Sequence, residues 1–217
     1  MTITHPQTIA IDGTFSSGKG TLAKRLAAHY GLACLDTGKL YRATARDVLA
    51  AGVSLDDGEA AAEIAAKIDP STFNDPYLKS GEIGAAASKV SVHPPVRAAL
   101  LAFQRDFAAK GAVLDGRDIG TVICPDADAK LFVDAAPEVR AERRYKELLG
   151  YGEDVTLDGV LADLRERDHR DMNRAAAPLK PAVDAHLLDT SELSIDAAVS
   201  TAIKIIDAVL DAKAQDS

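Results

Sequence analysis

Ile9-Ala10-Ile11-Asp12-Gly13-Thr14-Phe15-Ser16-Ser17-Gly18-Lys19-Gly20-Thr21-Leu22 is the stretch that decides the fold. The mostly apolar run 8–11 predicts a short buried strand, and Leu22 and Leu26 then follow at helical spacing. Between them, Gly13 and Gly18 let the backbone take positive φ, so that successive N–H groups can face one anion. The N-terminus of the helix and Lys19 add positive charge. The pattern therefore predicts a cradle for the phosphates of a nucleoside triphosphate.

The hydroxyl of this loop stands one position later than usual. In the general phosphate-loop signature a Ser or Thr follows the lysine directly, whereas here Gly20 follows and Thr21 comes next. The Gly-Lys-Gly-Thr form resembles nucleoside monophosphate kinases rather than GTPases or motor ATPases. We predict ATP binding by Gly13, Thr14, Phe15, Ser16, Ser17, Gly18, Lys19, Gly20 and Thr21, with the Thr21 hydroxyl near Mg²⁺, directly or through water.

The composition limits the class of protein. The chain has 217 residues, 47% hydrophobic and 27% charged, with a net charge of −8, which is ordinary for a globular protein and argues against broad nucleic-acid binding. No apolar run approaches the ~20 residues of a membrane span, and the first residues lack a secretory pattern. Cys34 and Cys124 show no metal-ligand spacing. We expect a cytoplasmic protein without nucleic-acid or membrane partners.

The order of apolar segments predicts the fold class. Strands are expected at 8–11, 32–35, 112–114, 130–134 and 186–188, and helices at 22–30, 38–51, 57–67, 85–92, 95–110, after Pro137, at 157–172 and at 195–210. Alternation of this kind indicates an α/β fold of three layers with a central five-stranded parallel sheet. Ligands of such sheets bind at the carboxyl ends of the strands.

We expect one kinase domain over 1–217, with two additions to the sheet. Residues 38–110 hold no convincing strand and are interpreted as a substrate-binding insertion, within which 73–84 should be a loop or small hairpin because of its Gly and Pro residues. Gly150, Gly152 and Asp154 indicate a mobile lid at about 145–157. The tail 211–217 is expected to fray.

Two further segments follow predicted strands. Asp115-Gly116-Arg117-Asp118 comes directly after the third strand, where a run of charged residues indicates a site rather than a surface turn. Tyr41 and Arg42 lie just after the second strand. A substrate role is favoured for both over a core aromatic and a solvated charge.

Arginines are concentrated between 140 and 174. Arg140, Arg143 and Arg144 have i, i+3, i+4 spacing and should share a helix face. Arg167, Asp171 and Arg174 would share another if that helix continues, whereas Arg165 and Arg170 are expected to be solvated. Guanidinium groups bind phosphate oxygens bidentately and stay charged, so this set suggests that two phosphorylated substrates meet.

Taken together, the motifs resemble the bacterial cytidylate kinases over nearly the whole chain. They are Asp12-Gly13 to Thr21, Leu35-Asp36-Thr37-Gly38 with Tyr41-Arg42, Ala87-Ser88-Lys89-Val90-Ser91 with Val96-Arg97, Asp115 to Val122, and Arg167-Asp168 to Leu179. The resemblance implies that Arg42, Arg117 and Arg174 hold the CMP phosphate, that Ser88, Arg97 and Asp118 contact the cytosine, and that Arg167 and Asp171 contact the ribose. Thr37 and Tyr41 would complete this CMP site, and Lys19, Arg117, Arg140, Arg143, Arg144 and Arg174 would be catalytic.

The implied reaction is transfer of a phosphoryl group from ATP, with Mg²⁺, to CMP or dCMP by a monomeric enzyme. The attacking phosphate oxygen is already ionised, so no general base is required, and positioning and cations would suffice. A kinase for AMP, UMP or shikimate is an alternative. A module that senses ATP is less favoured because it needs no second phosphate site, and a nucleic-acid binder is least favoured given the acidic charge and 5% aromatic residues.

Overall fold

The computed structural model describes residues 8–215. Its strands are β1 (Thr8–Gly13), β2 (Ala33–Asp36), β3 (Ala112–Asp115), β4 (Ala129–Asp134) and β5 (His186–Asp189). Its helices are α1 (Lys19–Tyr30), α2 (Thr37–Ala50), α3 (Gly58–Ala65), α4 (Gly81–Val90), α5 (Pro94–Ala108), α6 (Pro137–Gly150), α7 (Leu157–Asn173) and α8 (Ile195–Gln215). A short π-helical turn, Ile119–Ile123, follows β3.

The five strands form one parallel sheet in the order β2-β3-β1-β4-β5. β1 is central: Ile11 aligns with Asp115 of β3, and Gly13 aligns with Val133 of β4. This confirms the predicted fold class. The register brings the phosphate loop after β1 and the charged segment after β3 to the same edge of the sheet.

The chain divides into two compact units. The sheet unit comprises residues 8–36, 105–140 and 179–215, and the helical unit comprises 37–104 and 141–178. In the sheet unit, α1 and α8 pack on the sheet through Leu22, Leu26 and Ile206, which are at most 1% exposed. In the helical unit, α2, α3 and α5 share a core around Leu40 and Leu100. Both cores are continuous apolar clusters, so each unit buries its own hydrophobic surface.

Two of the expected local structures are wrong. Residues 73–84 form neither a plain loop nor a hairpin: two 3₁₀ helices, Pro70–Asn74 and Pro76–Lys79, precede α4, which already begins at Gly81. Asp69 and Asp75 each accept a hydrogen bond from the backbone two residues later, which starts each turn. The last helix extends to Gln215, where Lys213 Nζ donates to the Ala127 carbonyl at 3.4 Å. Only 216–217 of the predicted frayed tail lie outside the described residues.

Two further observations concern the cysteines and the length of the helices. No disulfide joins Cys34 and Cys124. Among residues 8–215, none of the helices is long and apolar enough to cross a membrane.

Candidate active site

The loop between β1 and α1 passes very close to β4. Gly13 has φ 147°, and a Cβ at this position would lie 1.9 Å from the Val133 carbonyl oxygen, so only glycine fits. Thr14 N donates to that same carbonyl at 3.3 Å. Ser16 (φ 61°) and Gly18 (φ 90°) then curl the backbone in the left-handed region. The loop therefore has the concave shape in which backbone N–H groups can surround an anion.

Side chains of β4 and the segment after β5 hold this loop in place. Thr14 Oγ1 donates to Asp134 Oδ1 at 2.6 Å. Thr190 Oγ1 donates to the Ser17 carbonyl at 2.9 Å, and Thr190 N donates to the Asp134 carbonyl at 2.8 Å. Ser17 Oγ donates in turn to the Thr14 carbonyl at 3.0 Å. The phosphate loop is thus a preorganised part of the sheet unit rather than a loose connection.

Lys19 is buried at the start of α1, with 4% of the residue exposed. Its Nζ donates to the Thr14 carbonyl at 2.6 Å, so the side chain lies over its own loop. The pKa of Lys19 is lowered to about 7, chiefly by burial and next by the positive charge of Arg117. The carboxylates of Asp115 and Asp12 act in the opposite direction and raise it. Near neutral pH this amine is therefore only partly protonated, and an anion placed beside it would favour the charged form.

Asp12 begins the phosphate-loop motif but is not among the predicted site residues. Its Oδ1 accepts from Ile119 N at 2.7 Å and its Oδ2 from Gly120 N at 2.8 Å, so it joins the end of β1 to the π-helical turn. Burial raises the pKa of Asp12 to about 6, although the two backbone hydrogen bonds oppose the shift. An acidic residue at the end of an apolar strand was the available signal, but its partners lie more than a hundred residues away.

The charged segment after β3 lies beside the phosphate loop in the sheet unit. Gly116 N donates to the Ile11 carbonyl at 2.9 Å, which fixes the segment against β1. Asp118 is buried with 5% exposed, whereas Arg117 is half-buried and its Nη1 donates to the Gly116 carbonyl at 3.0 Å. A Cβ on Gly20 would lie 3.5 Å from Asp115 Oδ2, so this carboxylate borders the first turn of α1.

Arg140 also belongs to the sheet unit. It is 3% exposed, and its guanidinium donates to the Ala135 carbonyl through Nε at 2.7 Å and to the Phe15 carbonyl through Nη1 at 3.1 Å. Arg143 and Arg144 belong to the helical unit, where Arg144 Nη1 pairs with Glu147 at 2.8 Å. The three predicted arginines thus divide between the units, and Arg140 braces the phosphate loop directly.

Within the helical unit, Tyr41 and Arg97 stack. The Arg97 guanidinium carbon lies 5.6 Å from the centroid of the Tyr41 ring, and Arg97 Nη1 donates to the Ser91 carbonyl at 3.3 Å. Arg97 is 8% exposed and Thr37 is 4% exposed, while Arg42 is half-buried. A buried arginine on an aromatic face is a rigid donor group.

The end of α7 departs from the expected helical stripe. Arg167 Nη1 donates to the Gly84 carbonyl at 3.2 Å, and Asp171 is 4% exposed. The helix stops at Asn173, however, so Arg174 lies in extended backbone (ψ 141°), and its Nε donates to the Ala177 carbonyl at 2.7 Å. The condition under which all three residues would share a helix face is therefore not met, because the helix ends before Arg174.

Arg170 is partly exposed and forms a ladder pair of the expected kind, but it also contacts a second helix. Its Nε donates to Ser88 Oγ at 3.2 Å, and its Nη1 pairs with Glu166 one turn earlier. Ser88 itself is 3% exposed. Arg165 stays exposed, as expected. The spacing of charges along α7 does not distinguish Arg165 from Arg170. The two differ because Arg170 contacts α4, which the sequence of α7 alone does not indicate.

The residues around the first turn of α1 are compatible with a phosphate-bound Mg²⁺. Among residues 8–215 no three His, Cys, Asp or Glu side chains cluster as a metal cage. Mg²⁺ bound to nucleotides needs no such cage, since it takes one or two protein oxygens besides phosphate and water. Asp115 beside Gly20 and the exposed hydroxyl residue Thr21 offer oxygens of this kind.

Comparison with known proteins gives concordant results. Residues 9–208 match the family described as Cytidylate kinase. The cytidylate kinase of Rhodopseudomonas palustris is 61% identical over 93% of this chain and 96% of its own length, and that of Brucella suis is 54% identical over 96% of both. Among solved structures, a gluconokinase from Sinorhizobium meliloti superposes with a TM-score of 0.58 at 15% identity, covering 98% of each chain. At that identity the superposition supports the fold alone.

Proposed function

Since the chain belongs to the cytidylate kinase family, we propose that it transfers the γ-phosphoryl group of ATP to CMP or dCMP, giving ADP and CDP or dCDP. The observation that carries the proposal is the phosphate loop, in which Gly13 lies against Val133 and Lys19 is buried over the loop. A loop braced this firmly on β4 and β5 is built to hold a polyphosphate in one orientation.

In this proposal the ATP phosphates bind to the loop 13–21. Lys19 and the N–H groups of the loop neutralise charge on the transferred group, and Arg140 keeps the loop in shape through Phe15. Mg²⁺, when bound with ATP, would balance phosphate charge, and Thr21 and Asp115 would hold it directly or through water.

The acceptor nucleotide uses the second set of residues. Its phosphate is bound by Arg42, Arg117 and Arg174, its base by Ser88, Arg97 and Asp118, and its ribose by Arg167 and Asp171, with Thr37 and Tyr41 completing the site. Asp118 accepts from the cytosine 4-amino group, whereas the corresponding carbonyl of uracil would face this carboxylate with repulsion.

The residues 145–157 act as a lid over ATP. α6 ends at Gly150, Gly152 has φ 80°, and Glu153 Oε1 accepts from Gly81 N at 2.8 Å at the start of α4. Closure excludes water and suppresses hydrolysis of ATP, with Arg143 and Arg144 adding positive charge beside the lid. The attacking phosphate oxygen is already ionised, so the step requires no general base. We further propose that the enzyme works as a monomer in the cytoplasm, which gel filtration and cell fractionation test.

The test is ADP production from ATP and Mg²⁺ with CMP, dCMP, UMP and AMP supplied separately. We expect strong turnover with CMP and dCMP, and loss of turnover in a folded Lys19→Ala variant. A preference for UMP or AMP would refute the proposed contacts to the base but would leave the kinase activity standing. ATP binding without turnover of any acceptor would favour the ATP-sensing alternative and overturn the proposal.

A further inference from the structure

Ser88 presents an unusual buried hydroxyl in the helical unit. The residue lies on α4 and is 3% exposed, and its Oγ accepts a hydrogen bond from Arg170 Nε at 3.2 Å. Within residues 8–215 this is the only hydrogen bond of the Ser88 side chain. The oxygen is therefore occupied by a cationic donor, while the hydroxyl proton has no acceptor in the described chain. Buried hydroxyl groups normally use both functions.

Arg170 is fixed in the orientation that produces this arrangement. Its Nη1 pairs with Glu166 on the same face of α7, and its Nε points to Ser88 on α4. The guanidinium group is planar and always protonated, so two anchored N–H directions define where the whole group lies. It can only donate to the serine oxygen. A hydroxyl that accepts from a cation is in turn a stronger hydrogen-bond donor.

We propose that Arg170 is a specificity-determining positioning residue, which acts through Ser88 to present a hydroxyl proton to the acceptor edge of the pyrimidine. Cytosine carries acceptors at both N3 and O2, whereas N3 of uracil carries a hydrogen. If uracil were bound instead, the serine O–H would face the N3–H group of the base. Two donors would then meet, and one of them would be buried without an acceptor. The inference rests on the proposed function, because it requires a pyrimidine next to Ser88.

The experiment is a double-mutant cycle on the preference for CMP over UMP. The ratio of the kcat/KM values for CMP and UMP is measured at saturating ATP for the wild type, Ser88→Ala, Arg170→Met and the double variant. Methionine keeps most of the apolar stem of arginine and removes its donors. Arg165→Met on the same helix is the matched control, because Arg165 is exposed.

We expect Arg170→Met to lower the CMP preference about tenfold, chiefly through the KM for CMP, with the KM for ATP unchanged. Ser88→Ala should lower it at least as much, and the double variant should be no worse than Ser88→Ala, because Arg170 acts through the serine. Arg165→Met should retain the preference of the wild type.

Three outcomes overturn the inference, and they can be distinguished from one another. If Ser88→Ala loses the preference but Arg170→Met keeps it, the role of Arg170 is refuted while the proposed function stands. If Ser88→Ala keeps the preference, Ser88 does not contact the base and the inference fails with that assignment. A wild-type enzyme that does not turn over CMP would instead refute the proposed function itself. A purely structural role of Arg170 would lower turnover of CMP and UMP equally and also refute the inference.

Discussion

Binding of ATP should draw a proton from solvent, and Lys19 should be its destination. Burial and Arg117 lower the pKa of Lys19 to about 7 in the protein alone. Bound triphosphate places several negative charges next to Nζ and raises the pKa again. At pH 8 the unbound amine carries about 0.1 proton and the bound one nearly 1, so about 0.9 proton is taken up per ATP. At pH 6 the amine is already charged, and uptake at Lys19 falls to about 0.1.

The measurement is isothermal titration calorimetry of ATP binding in two buffers that differ in ionisation enthalpy. The difference between the observed enthalpies gives the number of protons exchanged. Lys19→Arg is the informative variant, since it keeps a positive charge that does not titrate below pH 12. We expect its uptake at pH 8 to vanish. Lys24→Arg, on the exposed face of the same helix, should behave as the wild type.

The reasoning would be refuted by binding enthalpies that are equal in both buffers at pH 8 for the wild type. Undiminished uptake in Lys19→Arg would assign the proton to another group. Either result would mean that the buried ammonium stays charged without phosphate, held by the neighbouring carboxylates rather than weakened by burial.

Three further predictions concern Gly13 in the loop, Asp12 at the end of β1 and Asp118 in the proposed base site. Gly13→Ala should lower the free energy of unfolding by more than ~3 kcal/mol in urea titrations, because its Cβ would overlap the Val133 carbonyl; Gly20→Ala, whose Cβ has only ordinary contacts, should cost little. Asp12 has a pKa raised from 3.8 to about 6, so ionising it should cost the wild type about 3 kcal/mol of stability as pH rises from about 4 to 6. Asp12→Asn should lack this fall, and a pH-independent difference between the two proteins would contradict the explanation. Asp118→Ala should reduce the preference for CMP over UMP in the assay of ADP production, and an unchanged ratio would show that Asp118 does not contact the base.

Local patterns in the sequence are sufficient to predict the strands of the sheet and the phosphate loop. Short apolar runs determine the strands, and the spacing of Gly13, Gly18 and Lys19 determines the loop, because these depend on residues close together in the chain. Each predicted strand is present, with ends that differ by at most two residues from the predicted ones. The two 3₁₀ helices also had a local signal, since Asp-Pro occurs at both 69–70 and 75–76.

The interactions that hold the site together could not be predicted in this way. Asp12 binds backbone groups 107 and 108 residues later, and Arg170 binds a hydroxyl 82 residues earlier. Helical spacing indicates which residues of α7 share a face, but not that Ser88 of α4 contacts that face. The charge pattern around Arg170 is the same whether or not the side chain also contacts Ser88, so only the tertiary structure distinguishes the two cases.

The central position of β1 also affects how the protein is made. β1 leaves the ribosome first, yet its neighbours β3 and β4 begin at Ala112 and Ala129, and the Thr190 that secures the loop comes later still. At 5–20 residues per second, about 6 to 24 s pass between synthesis of Gly13, at the end of β1, and synthesis of Asp134, at the end of β4. During that interval the apolar strand β1 has one or both edges unpaired, and unpaired strand edges favour aggregation. The loop gains its Thr190 anchor only after this interval, so a nucleotide bound to the finished loop cannot shield β1 while its partner strands are still missing.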